Sequence, residues 1–134
     1  MNLKKHFGSN PKKETQGTWV DVAEGVKILV ARINNPRYTM RLMELQRPNW
    51  KQYRRGNVDL VKEAEMHTRV IAETILLGWV GLTDDKGEPV EYSVDKAIEI
   101  LSDPELHDFR DFVVEESQRM SNFRDIELEE AAKN

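Results

Sequence analysis

From Asn57 onward Leu60, Ala64, Ile71, Ile75 and Trp79 recur at helical intervals with His67 on the same stripe, while Lys62, Glu65, Arg69 and Glu73 take the opposite face. This spacing predicts a long amphipathic helix over 57–79, with Gly78 and Gly81 as its exits. The pairs Glu65/Arg69 and Arg69/Glu73 stand four apart and would each add a few tenths of a kcal/mol on an exposed face. Upstream the pattern changes. Residues 18–22 and 26–33 are rich in β-branched side chains, and Ala23-Glu24-Gly25 between them ends in the glycine that a short hairpin loop prefers. Two strands alone are marginal in water, so this hairpin has to lie on helices or pair its edges with another copy.

Asn35-Pro36 supplies an N-cap and a proline at the first helical position, predicting a helix over 34–47 that Pro48 stops. Residues 48–56 read as a polar, turn-rich connection. Beyond the loop 83–89, Ser93 caps a helix over 93–102 with Val94, Ala97, Ile98 and Leu101 on one stripe. Asp103-Pro104 repeats the cap-plus-proline start, opening a last helix over 104–122. Leu106, Phe109, Val113 and Met120 form its inner face, with Phe112 and Phe123 close to it. The fold class expected is α+β, mainly helical, with an N-terminal β-hairpin packed on about four helices.

A chain of 134 residues with 39% apolar content supports one modest core. The expected organisation is a flexible basic tail over 1–15, a single globular domain over 16–123 and a frayed or disordered acidic tail over 124–134. The basic start lacks the apolar stretch of a secretory signal, and the longest apolar run, 74–82, is far short of a membrane span. The absence of cysteine fits a reducing cytosol, so a cytoplasmic location is expected. The net charge of −4 conceals a polarity: residues 1–56 hold 12 Lys/Arg against 4 Asp/Glu, and residues 57–134 hold 8 against 20. Such halves can be solvated faces, or can attract charged partners or other copies head to tail.

Catalytic and metal chemistry find little to build on. His6, His67 and His107 have no ligand spacing, and Glu63 with His67 four residues on supplies two ligands at most, so a structural histidine is expected. In the loop Asp84-Asp85-Lys86-Gly87-Glu88, a calcium-site register would put Leu82, Lys86 and Ser93 where acidic ligands are required. There is no nucleophile elbow, P-loop or dinucleotide fingerprint. No catalytic residue, cofactor or metal is therefore assigned, although an enzyme of unrecognised type stays open as an alternative. The strongest surface signal is the stretch 47–55. It interleaves Arg47, Lys51, Arg54 and Arg55 with Trp50 and Tyr53, residue types that dominate protein interfaces and that also hold and stack single-stranded nucleic acid. A protein-facing role is expected for Arg47, Trp50, Tyr53, Arg54 and Arg55, with the acidic face around Asp108, Asp111 and Glu115 as a second contact. A nucleic-acid-binding accessory role is the alternative.

Residues 79–93, Trp-Val-Gly-Leu-Thr-Asp-Asp-Lys-Gly-Glu-Pro-Val-Glu-Tyr-Ser, resemble a pattern of small tail assembly chaperones of bacteriophages with long non-contractile tails. That pattern is a helix ending in a tryptophan, an acidic loop, Gly-x-Pro-Val, an aromatic and a serine cap. Ala97, Leu101, Asp103-Pro104 and the stretch 109–112 look like the closing helices of that family, and the resemblance covers roughly residues 15–123. It implies a non-catalytic protein of the host cytoplasm, absent from the finished virion. Such a protein binds and solubilises the tape measure protein and promotes tail tube polymerisation, sometimes with a longer frameshifted form. The implied partners are the tape measure and tail tube proteins, with a homo-oligomer also expected.

Overall fold

A computed structural model describes residues 1–125; the end of the expected acidic tail lies outside them. The described residues form a mainly helical α+β fold around a three-stranded antiparallel sheet. Strands β1 (Thr18–Ala23) and β2 (Val26–Val30) make the expected hairpin, with Gly25 at φ +74° in its turn and a register shift between Asp21 and Ala23. The third strand was not foreseen. β3 (Leu76–Val80) pairs with β2, so β2 is central and its Ile28 and Val30 are fully buried.

The predicted helix 57–79 thus divides into a helix, Leu60–Thr74, and a strand. An apolar run such as Ile75-Leu76-Leu77 satisfies either period, and β2's second edge decides for strand by offering backbone partners. Gly78 is no helix exit. It sits in the ladder with Leu29 and the Trp19 ring over its Cα, at 3.5 and 3.6 Å from where a Cβ would stand. The helix exit comes at Ile75, whose N–H still bonds the Ile71 carbonyl and whose carbonyl accepts from Ala31 N–H at 2.9 Å.

The segment expected as a basic tail carries regular structure. It contains α1 (Leu3–Phe7) and α2 (Pro11–Gln16), each capped by an asparagine side chain. α2 is fastened at both ends. Asn10 N–H donates to the Phe123 carbonyl at 2.7 Å, Arg32 N–H to the Glu14 carbonyl at 2.8 Å, and the Arg32 guanidinium pairs with Glu14 at 3.1 Å. Arg32 also lies 5.8 Å from the centre of the fully buried Phe123 ring.

Helix α3 (Pro36–Gln46) begins as predicted, with the Asn35 side chain accepting from Arg37 and Tyr38 N–H. Proline at 48 ends the α-helix but not the turning of the chain. A 3-10 turn, Arg47–Asn49, leads into α4 (Trp50–Arg54) where an irregular connection was expected. The long helix Leu60–Thr74 is α5. Helices α6 (Val94–Ser102) and α7 (His107–Gln118) come after β3, the latter entered by a 3-10 turn at Pro104–Leu106. The final stretch is shorter than predicted, because Arg119 is extended and a separate 3-10 turn, Met120–Phe123, carries Phe123 into the core.

The core gathers β2, β3 and one face each of α5, α6 and α7 through Val70, Ile71, Ile75, Leu76, Trp79, Ala97, Leu101 and Val113. Trp79 and Tyr92 meet edge to face at 4.9 Å. Trp79 Nε1 donates to the Val90 carbonyl at 2.7 Å and the Tyr92 hydroxyl to the Leu76 carbonyl at 2.9 Å. The Gly-x-Pro-Val loop is therefore folded back on β3 by two aromatic side chains. Only the second half of the α5 stripe is inside. Leu60 is 78% exposed, so the first turns of α5 extend past the body of the fold.

Candidate interaction surface

The stretch 47–55 is a helical turn standing beside α5, and helical spacing sorts its residues into two groups. Arg47, Trp50, Arg54 and Arg55 face solvent, with Trp50 42% exposed. Among the described residues, Arg47, Lys51, Arg54 and Arg55 form no ion pair. Tyr53 turns the other way. It is half-buried and its hydroxyl donates to Glu63 Oε2 on α5 at 2.5 Å. That hydrogen bond, with burial second, raises the Tyr53 pKa above its ordinary value. Tyr53 is therefore the strut that holds α4 against α5, while Trp50 and the arginines are what it presents.

Asp108, Asp111 and Glu115 are exposed on α7 at spacings of three and four. His107 Nε2 lies 3.2 Å from Asp111, and both groups are well exposed, so the contact adds little. The two patches attach to different sides of α5. Tyr53 reaches Glu63, whereas Arg110 of α7 donates to the Thr68 hydroxyl at 2.6 Å and the Leu101 carbonyl at 3.1 Å. Five residues separate those anchor points, about 140° around the helix at roughly 100° per residue. The cationic and acidic patches are thus two surfaces and not one composite site.

A cavity of about 310 Å³ opens between α4 and α5, lined by Leu45, Gln52, Tyr53, Val58, Glu63 and Met66 among others. His67 Nε2 lies 3.3 Å from Glu63 Oε1 at its edge, so Glu63 is shared between a tyrosine and a histidine. Sequence spacing showed the Glu63/His67 pair but not Tyr53, because a contact across ten residues carries no periodic signature.

Two further features lacked a sequence signal. Arg41 of α3 reaches Glu73 of α5 at 2.6 Å, and Arg69 reaches the same carboxylate at 3.1 Å, as its spacing of four suggested. The Arg41 hydrogen bond is the main cause of a lowered Glu73 pKa, acting against burial. The other is a groove of about 360 Å³ between the loop 82–90 and α6–α7. Leu82, Val90, Ile100, Leu106 and Phe109 form its floor, and Asp84, Asp85, Glu99 and Asp103 its rim. Among the described residues no helix is long and apolar enough to cross a membrane.

The family model described as YdaY prophage protein matches residues 33–134, which include α3 to α7, β3 and both surface patches. No curated protein and no solved structure matches the chain.

Proposed function

The chain belongs to the YdaY prophage protein family, and from that premise we propose that it is a tail assembly chaperone. In this reading it binds the tape measure protein in the host cytoplasm, keeps it soluble, promotes tail tube polymerisation around it and leaves before the virion is finished. It carries out no catalysis. The observation that carries the reading is the outer side of α4, where an exposed Trp50 is surrounded by arginines that no carboxylate among the described residues engages. Tryptophan and arginine are the commonest anchors of protein interfaces. Support also comes from the resemblance of residues 79–93 to tail chaperones in the acidic loop, Gly-x-Pro-Val, aromatic and serine cap, whereas Trp79 stands in strand β3 and not at the end of a helix. The features behind it serve the fold itself: Trp79 and Tyr92 close the loop and the Ser93 hydroxyl accepts from Lys96 N–H at 3.0 Å.

A tape measure protein exposes long apolar helical stripes before assembly, and such surfaces aggregate unless covered. Trp50 supplies apolar anchoring, and the cationic surround steers encounter and selects partners. The test is co-expression of a tape measure protein with and without this chain, then a pull-down. The expected result is a soluble partner that co-purifies, with recovery falling at least tenfold for Trp50→Ala/Arg54→Ala. Unchanged partner solubility with no co-purification overturns the reading. The same α4 surface suits single-stranded nucleic acid. Binding of an oligonucleotide at low salt that is lost in the same variant, without any partner effect, would favour that second reading.

A further inference from the structure

The acidic groove between the loop 82–90 and α6–α7 has a matching ligand on the same chain. Its floor is apolar, and its rim carries four carboxylates against one ammonium, Lys96, which is itself paired with Glu99 at 3.1 Å. Helix α1 has the opposite character. Leu3 and Phe7 stand four apart on it, 66% and 59% exposed, flanked by Lys4 and Lys5, and no residue of α1 is buried. Residues four apart lie on one face of a helix, so α1 presents two apolar anchors with Lys4 at their edge, while Lys5, about 160° away at roughly 100° per residue, adds its charge from the far side.

Within one chain the helical α1, about 7.5 Å long at 1.5 Å per residue, lies apart from the groove. Ser9 and Asn10, directly after α1, are hydrogen-bonded to the Phe123 carbonyl beyond the end of α7, whereas the groove takes in Leu106 and Phe109 at its start. The 12 residues of α7 lie between, a length of about 18 Å at 1.5 Å per residue. We propose that α1 of one copy docks in the acidic groove of a second copy, joining this protein head to tail through Leu3 and Phe7 on the apolar floor and Lys4 on the carboxylate rim, with Lys5 adding to the positive charge of the docked helix. Such a contact is heterologous: each copy keeps a free groove at one end and a free α1 at the other, so association continues into a chain or closes into a ring.

A charge exchange on the full-length protein tests this. One variant carries Lys4→Glu/Lys5→Glu, and the other Asp85→Lys/Glu99→Lys; Asp84 and Asp103 are left alone because their side chains accept backbone N–H groups. Sedimentation velocity over a concentration series is expected to show wild-type protein associating at high micromolar concentration, more weakly as salt rises. Each variant alone should associate at least tenfold more weakly. An equimolar mixture of the two should recover association, because each acidic α1 then meets a basic groove and each basic α1 an acidic one. Phe7→Ser should weaken association at every salt concentration. Circular dichroism confirms that the variants fold. A monomeric wild type at high micromolar concentration and low salt overturns the proposal and leaves the groove to a partner of another kind. Association that neither charge variant weakens, or a mixture that recovers nothing, overturns it as well.

Discussion

At the scale of single residues, the Glu73 carboxylate is held from two sides, by Arg41 from α3 and by Arg69 from its own helix. Its pKa is depressed below the ordinary 4.5, chiefly by the Arg41 hydrogen bond. Protons therefore bind the unfolded chain at a higher pH than the folded one, and Glu73 contributes stability that is fully present above 4.5 and disappears as pH falls through its folded value. Glu73→Gln is expected to cost about 1.5–3 kcal/mol at neutral pH, the usual worth of hydrogen bonds to a charged group. Urea titrations at pH 7 and pH 3 check this: the gap between wild type and variant should narrow at the lower pH. Two glycines make a second residue-scale contrast. Gly81 has φ +84°, and a Cβ there would stand 2.2 Å from the Gly25 carbonyl oxygen. Gly81→Ala is expected to destabilise by about 2 kcal/mol or more, since left-handed strain alone costs roughly 1–3. Gly78 has ordinary space at its Cβ position, so Gly78→Ala should be neutral or stabilise by up to about 1 kcal/mol. Thermal melts separate the two.

Among the elements, those whose signals are local were legible in the sequence, and those that depend on a distant partner were not. Asn35, Ser93 and Asp103 cap the turns immediately after them through side-chain to backbone bonds two or three residues away, so α3 and α6 start close to where the sequence places them, while Asp103 starts the 3-10 turn that leads into α7. Strand β3 needs β2, some fifty residues earlier, and without it Leu76–Val80 continues the α5 pattern. α4 was hidden for a related reason. Its composition is polar, and its helical form is secured by one tyrosine that crosses to α5. The candidate surface was thus visible as a set of residue types, whereas the division that turns Tyr53 inward and Trp50 outward was not. Tyr53→Phe should release α4 selectively. Hydrogen exchange over residues 47–56 is expected to accelerate, with a global stability loss under about 1.5 kcal/mol, because the hydroxyl bond holds an element that buries little.

Across the whole molecule, the sequence showed a charge asymmetry and one modest core but gave no sign that the first residues return to the last described ones. Segment 9–18 is held against 122–125 by Asn10 and Ser9 on the Phe123 carbonyl, Thr18 on the Asn122 carbonyl and Lys13 on the Arg124 carbonyl. Phe123 is the apolar centre of this closure. Phe123→Ala is expected to cost about 3–5 kcal/mol, as for other fully buried aromatics, and to deprotect amides 10–17 along with those of the final 3-10 turn; denaturant titration with hydrogen exchange measures both. This closure also sets a timetable for biosynthesis. A ribosome adds about 5–20 residues per second, so the 113 positions from Asn10 to Phe123 take roughly 6–23 s to make. By the end of that interval the hairpin has long been made, whereas the residue that seals α2 and Arg32 is only then added. The nascent chain therefore waits with its basic end loose, and only the emergence of Phe123 lets the first-made segment take its place.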